Sequence, residues 1–178
     1  MPGDPGPTNP GRRDFLAYAT TAIAAAGTGL ALWPMVASLN PAADTLAMAT
    51  IDVDLSAVWV GQRIAVTWRG KPVFIARRTP EEIAAANDVA VAELRDPQPD
   101  DARVKKLEWL IVVGVCTHLG CIPMGGKPTE PRGKWNGWFC QCHGSQYDTA
   151  GRIRQGPAPR NLEVPPYTFT ADDVVRIG

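Results

Sequence analysis

All four Cys and both His of this 178-residue chain lie between Cys116 and His143. Six scarce residues confined to one short window point to a metal site, a disulfide framework, or both. They form two boxes, Cys116-Thr117-His118-Leu119-Gly120-Cys121 and Cys140-Gln141-Cys142-His143-Gly144-Ser145. Each box offers thiolate and imidazole a few residues apart on a turn that contains glycine. Two such loops can face each other and enclose a metal centre. The residues alone leave three readings open. A Cys2His2 zinc site would leave two Cys spare, and the C-x2-C…H-x3-H order is absent because each box mixes Cys with His. A four-cysteine cluster would leave both His unused. A [2Fe–2S] cluster with two Cys on one iron and two His on the other would use both residue types.

The second constraint is near the N-terminus. No charged residue occurs from Phe15 to Ala43, and Arg12-Arg13 stand just before this run. About 20 apolar residues span a bilayer as a helix, so residues 15–39 are expected to form a transmembrane anchor. Small residues at Ala22, Ala26 and Gly29 would let a neighbouring helix approach. Paired arginines favour a cytoplasmic N-terminus, here residues 1–14. Arg12-Arg13-Asp14-Phe15-Leu16 also resembles a twin-arginine export signal. A cleaved signal ending near Ala47-Met48-Ala49 is the alternative. Residues 1–11 are Pro/Gly-rich and expected to be disordered.

Residues 40–50 are small and mildly polar and read as a neck before a head spanning residues 51–178. Gly and Pro number 17 each, which favours turns and short strands. The pattern predicts a strand over 51–55 and a hairpin of 63–68 with 72–77 around Arg69-Gly70-Lys71. A helix is expected over 80–94, with Thr79 as N-cap. Further strands are expected over 109–115, 167–169 and 174–177. The fold class is therefore mostly β: an N-terminal transmembrane helix, a flexible hinge, and an antiparallel-β head with one helix-loop insertion. Lys+Arg and Asp+Glu are 18 each, which leaves no basic footprint for nucleic acid.

The boxes C-x-H-x2-C and C-x-C-H-G-S closely resemble those of the Rieske iron–sulfur subunits of ubiquinol–cytochrome c oxidoreductases. Leu94-Arg95-Asp96-Pro97, Asp148 to Pro159 and Val174 to Gly178 resemble further family segments, so the similarity covers nearly all the chain past residue 11. The resemblance implies one [2Fe–2S] cluster in a cluster-binding part of about 114–160. Its ligands would be Cys116 and Cys140 on one iron and His118 and His143 on the other, with a Cys121–Cys142 disulfide clamping the loops. Ser145 and Tyr147 would donate hydrogen bonds to the cluster and to the sulfur of Cys116. Ordinary turn and core packing is their alternative role.

The family also implies a function. The cluster would accept one electron from ubiquinol and pass it to a c-type cytochrome subunit, coupled to proton translocation. His143 would accept a proton, and Leu119 would contact the quinol pocket of a cytochrome b subunit or simply cover the cluster. Gly156 to Pro159 would shield the cluster's other side, and Ala43 to Met48 resembles a hinge on which the head swings. A dimeric multi-subunit complex in a bacterial inner membrane is expected, with the head periplasmic. Gln141 and Gln146 depart from the family pattern at non-ligand positions, and 125–134 has no assigned role. The alternatives are a Rieske carrier for another periplasmic oxidoreductase and, from a different class, a redox-silent zinc module.

Overall fold

The computed structural model describes residues 10–40 and 49–178, which fall into two compact units divided between Leu46 and Ala47. The hinge motif Ala43–Met48 and residues 1–9 lie outside the described residues, as do Ala47 and Met48 of the alternative cleavage site.

In the first unit, helix α1 runs from Pro10 to Ala37, so Pro10 and Gly11 open a helix. Proline suits a first helical position because the N–H it lacks would have no partner there. Thr20 and Thr21 return their hydroxyls to the carbonyls of Leu16 and Ala17, which hides polarity along an apolar helix. The helix is long and apolar enough to cross a membrane.

The second unit holds three three-stranded antiparallel sheets. Strands β2 (Arg63–Trp68), β3 (Lys71–Arg77) and β4 (Trp109–Val113) form the central one. The β2–β3 turn is Arg69-Gly70, at φ 49° and 71°. Two successive positive φ values match the right-handed twist of paired strands. β3 and β4 read as continuous apolar runs, and the structure shows why. Val73, Ile75, Trp109 and Ile111 point into one core; Phe74, Ala76, Leu110 and Val112 point into another. A strand covered on both faces has no polar face to alternate with.

One outer sheet, in the order β1–β9–β8, comprises β1 (Ile51–Asp54), β8 (Tyr167–Ala171) and β9 (Val174–Ile177). It contributes Val175, Ile177 and Tyr167 to the first core. The other outer sheet is β5 (Asn136–Cys140), β6 (Ser145–Asp148) and β7 (Ile153–Gln155). It contributes Trp138, Tyr147 and Ile153 to the second core, together with Cys116 and Cys140. The sequence pattern predicts no strand over 136–155. These strands are only three to five residues long, and two register shifts break their alternation.

Helix α2 spans Pro80–Asn87. Thr79 caps it, its hydroxyl accepting from Glu82 N–H while Glu82 accepts from Thr79 N–H. The sequence predicts helix to Leu94, but α2 stops seven residues earlier. Arg152 Nη2 takes the Ala86 carbonyl at 2.6 Å, so it is not left for the next turn. Asn87 also bonds back to Ile83 O, as short polar side chains do where helices end. Residues 91–93 then make one 3₁₀ turn.

Candidate metal centre

The two boxes fold into the same local device. Gly120 N–H donates to Cys116 O, and Gly144 N–H donates to Cys140 O, each at 2.9 Å. Gly120 and Gly144 close these turns at φ 81° and 77°, which glycine adopts without steric cost. Cys116 follows buried β4 and Cys140 ends β5, so both first cysteines rise from the second core.

Cys121 and Cys142 are joined in a disulfide, as the family resemblance implies, while Cys116 and Cys140 are free and buried. The sulfurs of Cys121, Cys140 and Cys142 lie within 4.8 Å of one another. That trio is not itself a ligand set, because two of its sulfurs are spent on the bridge. At the surface the Nδ1 atoms of His118 and His143 converge to 3.2 Å, with the rings edge to face. His143 and Leu119 are exposed and His118 is half-buried.

Burial raises the cost of ionising Cys116. It is outweighed by donors around the sulfur: the Tyr147 hydroxyl, the His118 N–H, the Cys140 thiol and the Ser145 hydroxyl, so the thiol pKa falls. Cys140 goes the other way, raised by burial and by its bond with Cys116. Tyr147 Oη lies 3.3 Å from Cys116 Sγ, and burial followed by this bond holds the phenol well above its usual range. Ser145 Oγ accepts from Ala158 N–H at 3.1 Å, which leaves its own proton to donate.

The third loop, Gly156 to Pro159, packs on the second box: a Cβ on Gly156 would meet Ser145 Cα at 2.5 Å. Arg95 grips this loop through the carbonyls of Gly156 and Ala158, and Asp96 accepts from Asn161 N–H. The Leu94–Pro97 segment thus fastens the loop beside the boxes. Segment 125–134 is also organised locally: Glu130 Oε2 accepts from the N–H groups of Gly125, Gly126 and Lys127.

Buried arginines form a layer that the sequence reading missed. Arg152 pairs with Asp148 and reaches Ala86 O, tying β6 to α2. Arg78 pairs with Asp100 through two bonds. Arg103 holds Ala150 O and Leu162 O, and Arg63 holds Glu82 and three carbonyls near β5. Burial lowers the pKa of both Arg63 and Arg103 to about 10. In sequence they are indistinguishable from surface cations; the one local hint is Arg152, four residues after Asp148.

Two buried thiols and two convergent imidazoles on disulfide-joined loops fit a two-iron, mixed Cys/His cluster. The zinc-finger order C-x2-C…H-x3-H is absent.

Comparisons with known proteins agree. Residues 50–167 match the family model described as Rieske [2Fe-2S] domain. Residues 4–42 match the one described as ubiquinol–cytochrome c reductase Fe-S subunit TAT signal. The ubiquinol–cytochrome c reductase iron–sulfur subunit of Rhodospirillum rubrum is 62% identical over 167 residues, covering 94% of this chain and 91% of the relative. That of Bradyrhizobium diazoefficiens is 55% identical over 173 residues, 96% of each chain. A chain of a hyperthermophilic respiratory Complex III superposes with TM-score 0.54 at 28% identity, covering 89% of this chain and 98% of that one. The chain therefore belongs to the family of Rieske iron–sulfur subunits of ubiquinol–cytochrome c reductase.

Proposed function

We propose that Cys116 and Cys140 hold one iron of the [2Fe–2S] cluster and that His118 and His143 hold the other. One observation carries this reading: two free thiols are buried while, two and three residues further along the same two loops, the Nδ1 atoms of His118 and His143 converge at 3.2 Å. A cluster bound there supplies a one-electron acceptor of raised potential, because neutral imidazoles replace two anionic thiolates.

The chain's own residues supply the rest. With Nδ1 committed, Nε2 of each ring is free to hold a proton. His143 is the more exposed, and we assign to it the proton that leaves ubiquinol. Leu119, 70% exposed and next to His118 in the first box, offers the quinol an apolar wall. Tyr147 and Ser145 aim hydroxyls at the sulfur side of the centre and favour its more negative, reduced state. The subunit then serves quinol oxidation beside a cytochrome b subunit and delivers the electron to a c-type cytochrome subunit, coupled to proton translocation in a dimeric complex. In this reading residues 15–39 anchor the chain in a bacterial inner membrane, with Arg12 and Arg13 cytoplasmic. Residues 40–50 are the neck, and the head, 51–178, is periplasmic.

The test is electron paramagnetic resonance of the purified protein, reduced first with ascorbate and then with dithionite. A rhombic signal present with ascorbate, with average g below that of all-cysteine clusters, is expected. Cys116→Ser and His143→Ala are each expected to abolish it. A signal that needs dithionite defeats the quinol-oxidising role, and one that survives either substitution defeats the ligand assignment.

A further inference from the structure

Arg63 opens β2, in the central sheet, yet its side chain serves the sheet that carries the metal centre. The side chain is 2% exposed. Nη1 donates to the carbonyls of Gly125 at 3.1 Å and Gly137 at 2.6 Å. Nη2 donates to the Asn136 carbonyl at 2.7 Å and to Glu82 Oε1 at 2.9 Å. The guanidinium carbon also lies 4.5 Å from the centroid of the Trp138 ring.

Three of those acceptors are main-chain carbonyls in two different segments, and a single rung joins the segments. Met124 N–H donates to Phe139 O at 2.8 Å, and Phe139 N–H to Met124 O at 2.9 Å. Gly125 is one residue past that rung on its strand; Gly137 is two residues before it on the other. On the far side of the rung the segments run to Cys121 and Cys140. Arg63 therefore grips the closed end of a pair of tongs whose open end carries one half of the disulfide and one free thiol.

The grip depends on an irregularity in β5. Successive carbonyls of a regular strand point to opposite sides, so one guanidinium cannot hold two of them in a row. β5 shifts register between Asn136 and Trp138, and Asn136 sits at φ 52°. This bulge turns the carbonyls of Asn136 and Gly137 to the same partner. A Cβ on Gly137 would meet Tyr147 O at 2.1 Å, so the bulge is also pressed against β6.

We propose that Arg63 is a positioning residue for the metal centre, setting through the carbonyls of Gly125, Asn136 and Gly137 the separation and direction of the loops that carry Cys121 and Cys140. The proposal rests on the reading of Cys140 as a ligand. Lysine is no substitute. It keeps the charge but offers its protons from one nitrogen, where the planar fork spans four acceptors. Losing one charge-assisted bond to a buried carbonyl raises the local opening equilibrium about tenfold or more.

The test compares Arg63→Lys with Glu82→Gln in the full chain, cluster loaded and assembled in its membrane complex. Glu82→Gln keeps the guanidinium and all three carbonyl bonds. The readouts are the g values, the midpoint potential and peptide-level hydrogen exchange. In Arg63→Lys, exchange over 121–126 and 136–140 is expected to rise about tenfold or more. The g values and potential are expected to shift, while 71–77 and 109–113 keep wild-type rates. Glu82→Gln should leave g values and potential as in wild type. Wild-type g values and potential in Arg63→Lys would overturn the proposal. So would loosening spread equally over β3 and β4, or a Glu82→Gln variant that reproduces Arg63→Lys. If Arg63→Lys does not accumulate, the wild-type chain decides: Met124 and Phe139 amides must be protected as well as those of β2, and far faster exchange overturns the proposal. Cys140→Ser separates the two ideas. A cluster retained in that variant defeats the ligand reading alone, because the grip of Arg63 is still read by exchange.

Discussion

Replacing Tyr147 by Phe removes a single oxygen from a fully buried ring and leaves its packing volume almost unchanged. That oxygen lies 3.3 Å from Cys116 Sγ and also accepts from Thr117 N–H at 3.3 Å. A hydrogen bond to a charged group contributes about 1.5–3 kcal/mol. The sulfur carries negative charge in both redox states, so only the increment gained on reduction favours the added electron. Taking that increment as about half gives about 0.7–1.5 kcal/mol. At about 59 mV per tenfold for one electron, the midpoint potential of Tyr147→Phe should fall by about 30–65 mV. A redox titration followed by electron paramagnetic resonance, on the full chain in its membrane complex, reads this shift directly. Cluster content should match wild type, because the ring still fills its place in the core. A potential within about 10 mV of wild type, at full cluster occupancy, would refute the claim that this hydroxyl stabilises the reduced centre.

Three further outcomes are expected. Ser145→Ala should lower the potential in the same direction, because the Ser145 proton is left free by the bond its oxygen accepts from Ala158 N–H; an unchanged titration curve would contradict this. Opening the Cys121–Cys142 bridge with Cys121→Ser and Cys142→Ser releases a loop of 21 residues' separation, about 3 kcal/mol of stabilisation by chain entropy. Cluster loss during a urea titration should then begin at clearly lower urea, and an unaltered midpoint would show that the bridge does not hold the loops. Glu130 has its pKa lowered by the Gly125 N–H first, burial opposing, with the Lys127 and Gly126 N–H groups adding to the lowering. A depressed carboxylate contributes stability above its unfolded pKa, about 4.3, that is lost as pH falls through the folded value. Exchange over 125–130 should therefore accelerate below about pH 4 after correction for intrinsic rates. Glu130→Gln should bring that acceleration to neutral pH; a loop equally protected at pH 3 and pH 7 would contradict the closure.

The boxes were legible because their chemistry is local. Cys116 with Gly120, and Cys140 with Gly144, each close a turn within five residues, and such a turn needs no distant partner. β3 and β4 were legible because burial on both faces leaves an unbroken apolar run. The end of α2 was not legible, since the group that takes the Ala86 carbonyl is Arg152, 66 residues away. The strands around Trp138 and Tyr147 were hidden because bulges break the period of two on which a strand is recognised.

The sequence by itself determined the inventory: which thiols and imidazoles exist, the spacing that sets them on two glycine turns, and an apolar stretch long enough to cross a bilayer. The family resemblance implied which cysteines bond to each other. Tertiary structure decided that Cys121 meets Cys142 while Cys116 and Cys140 stay free, and that the imidazoles of His118 and His143 converge. It also decided that Arg63, Arg78, Arg103 and Arg152 are buried as clamps. The reason is physical: a turn is set by the torsions of its own residues, whereas a buried guanidinium is stable only where distant carbonyls and carboxylates converge to satisfy it, and that convergence exists only in the folded chain.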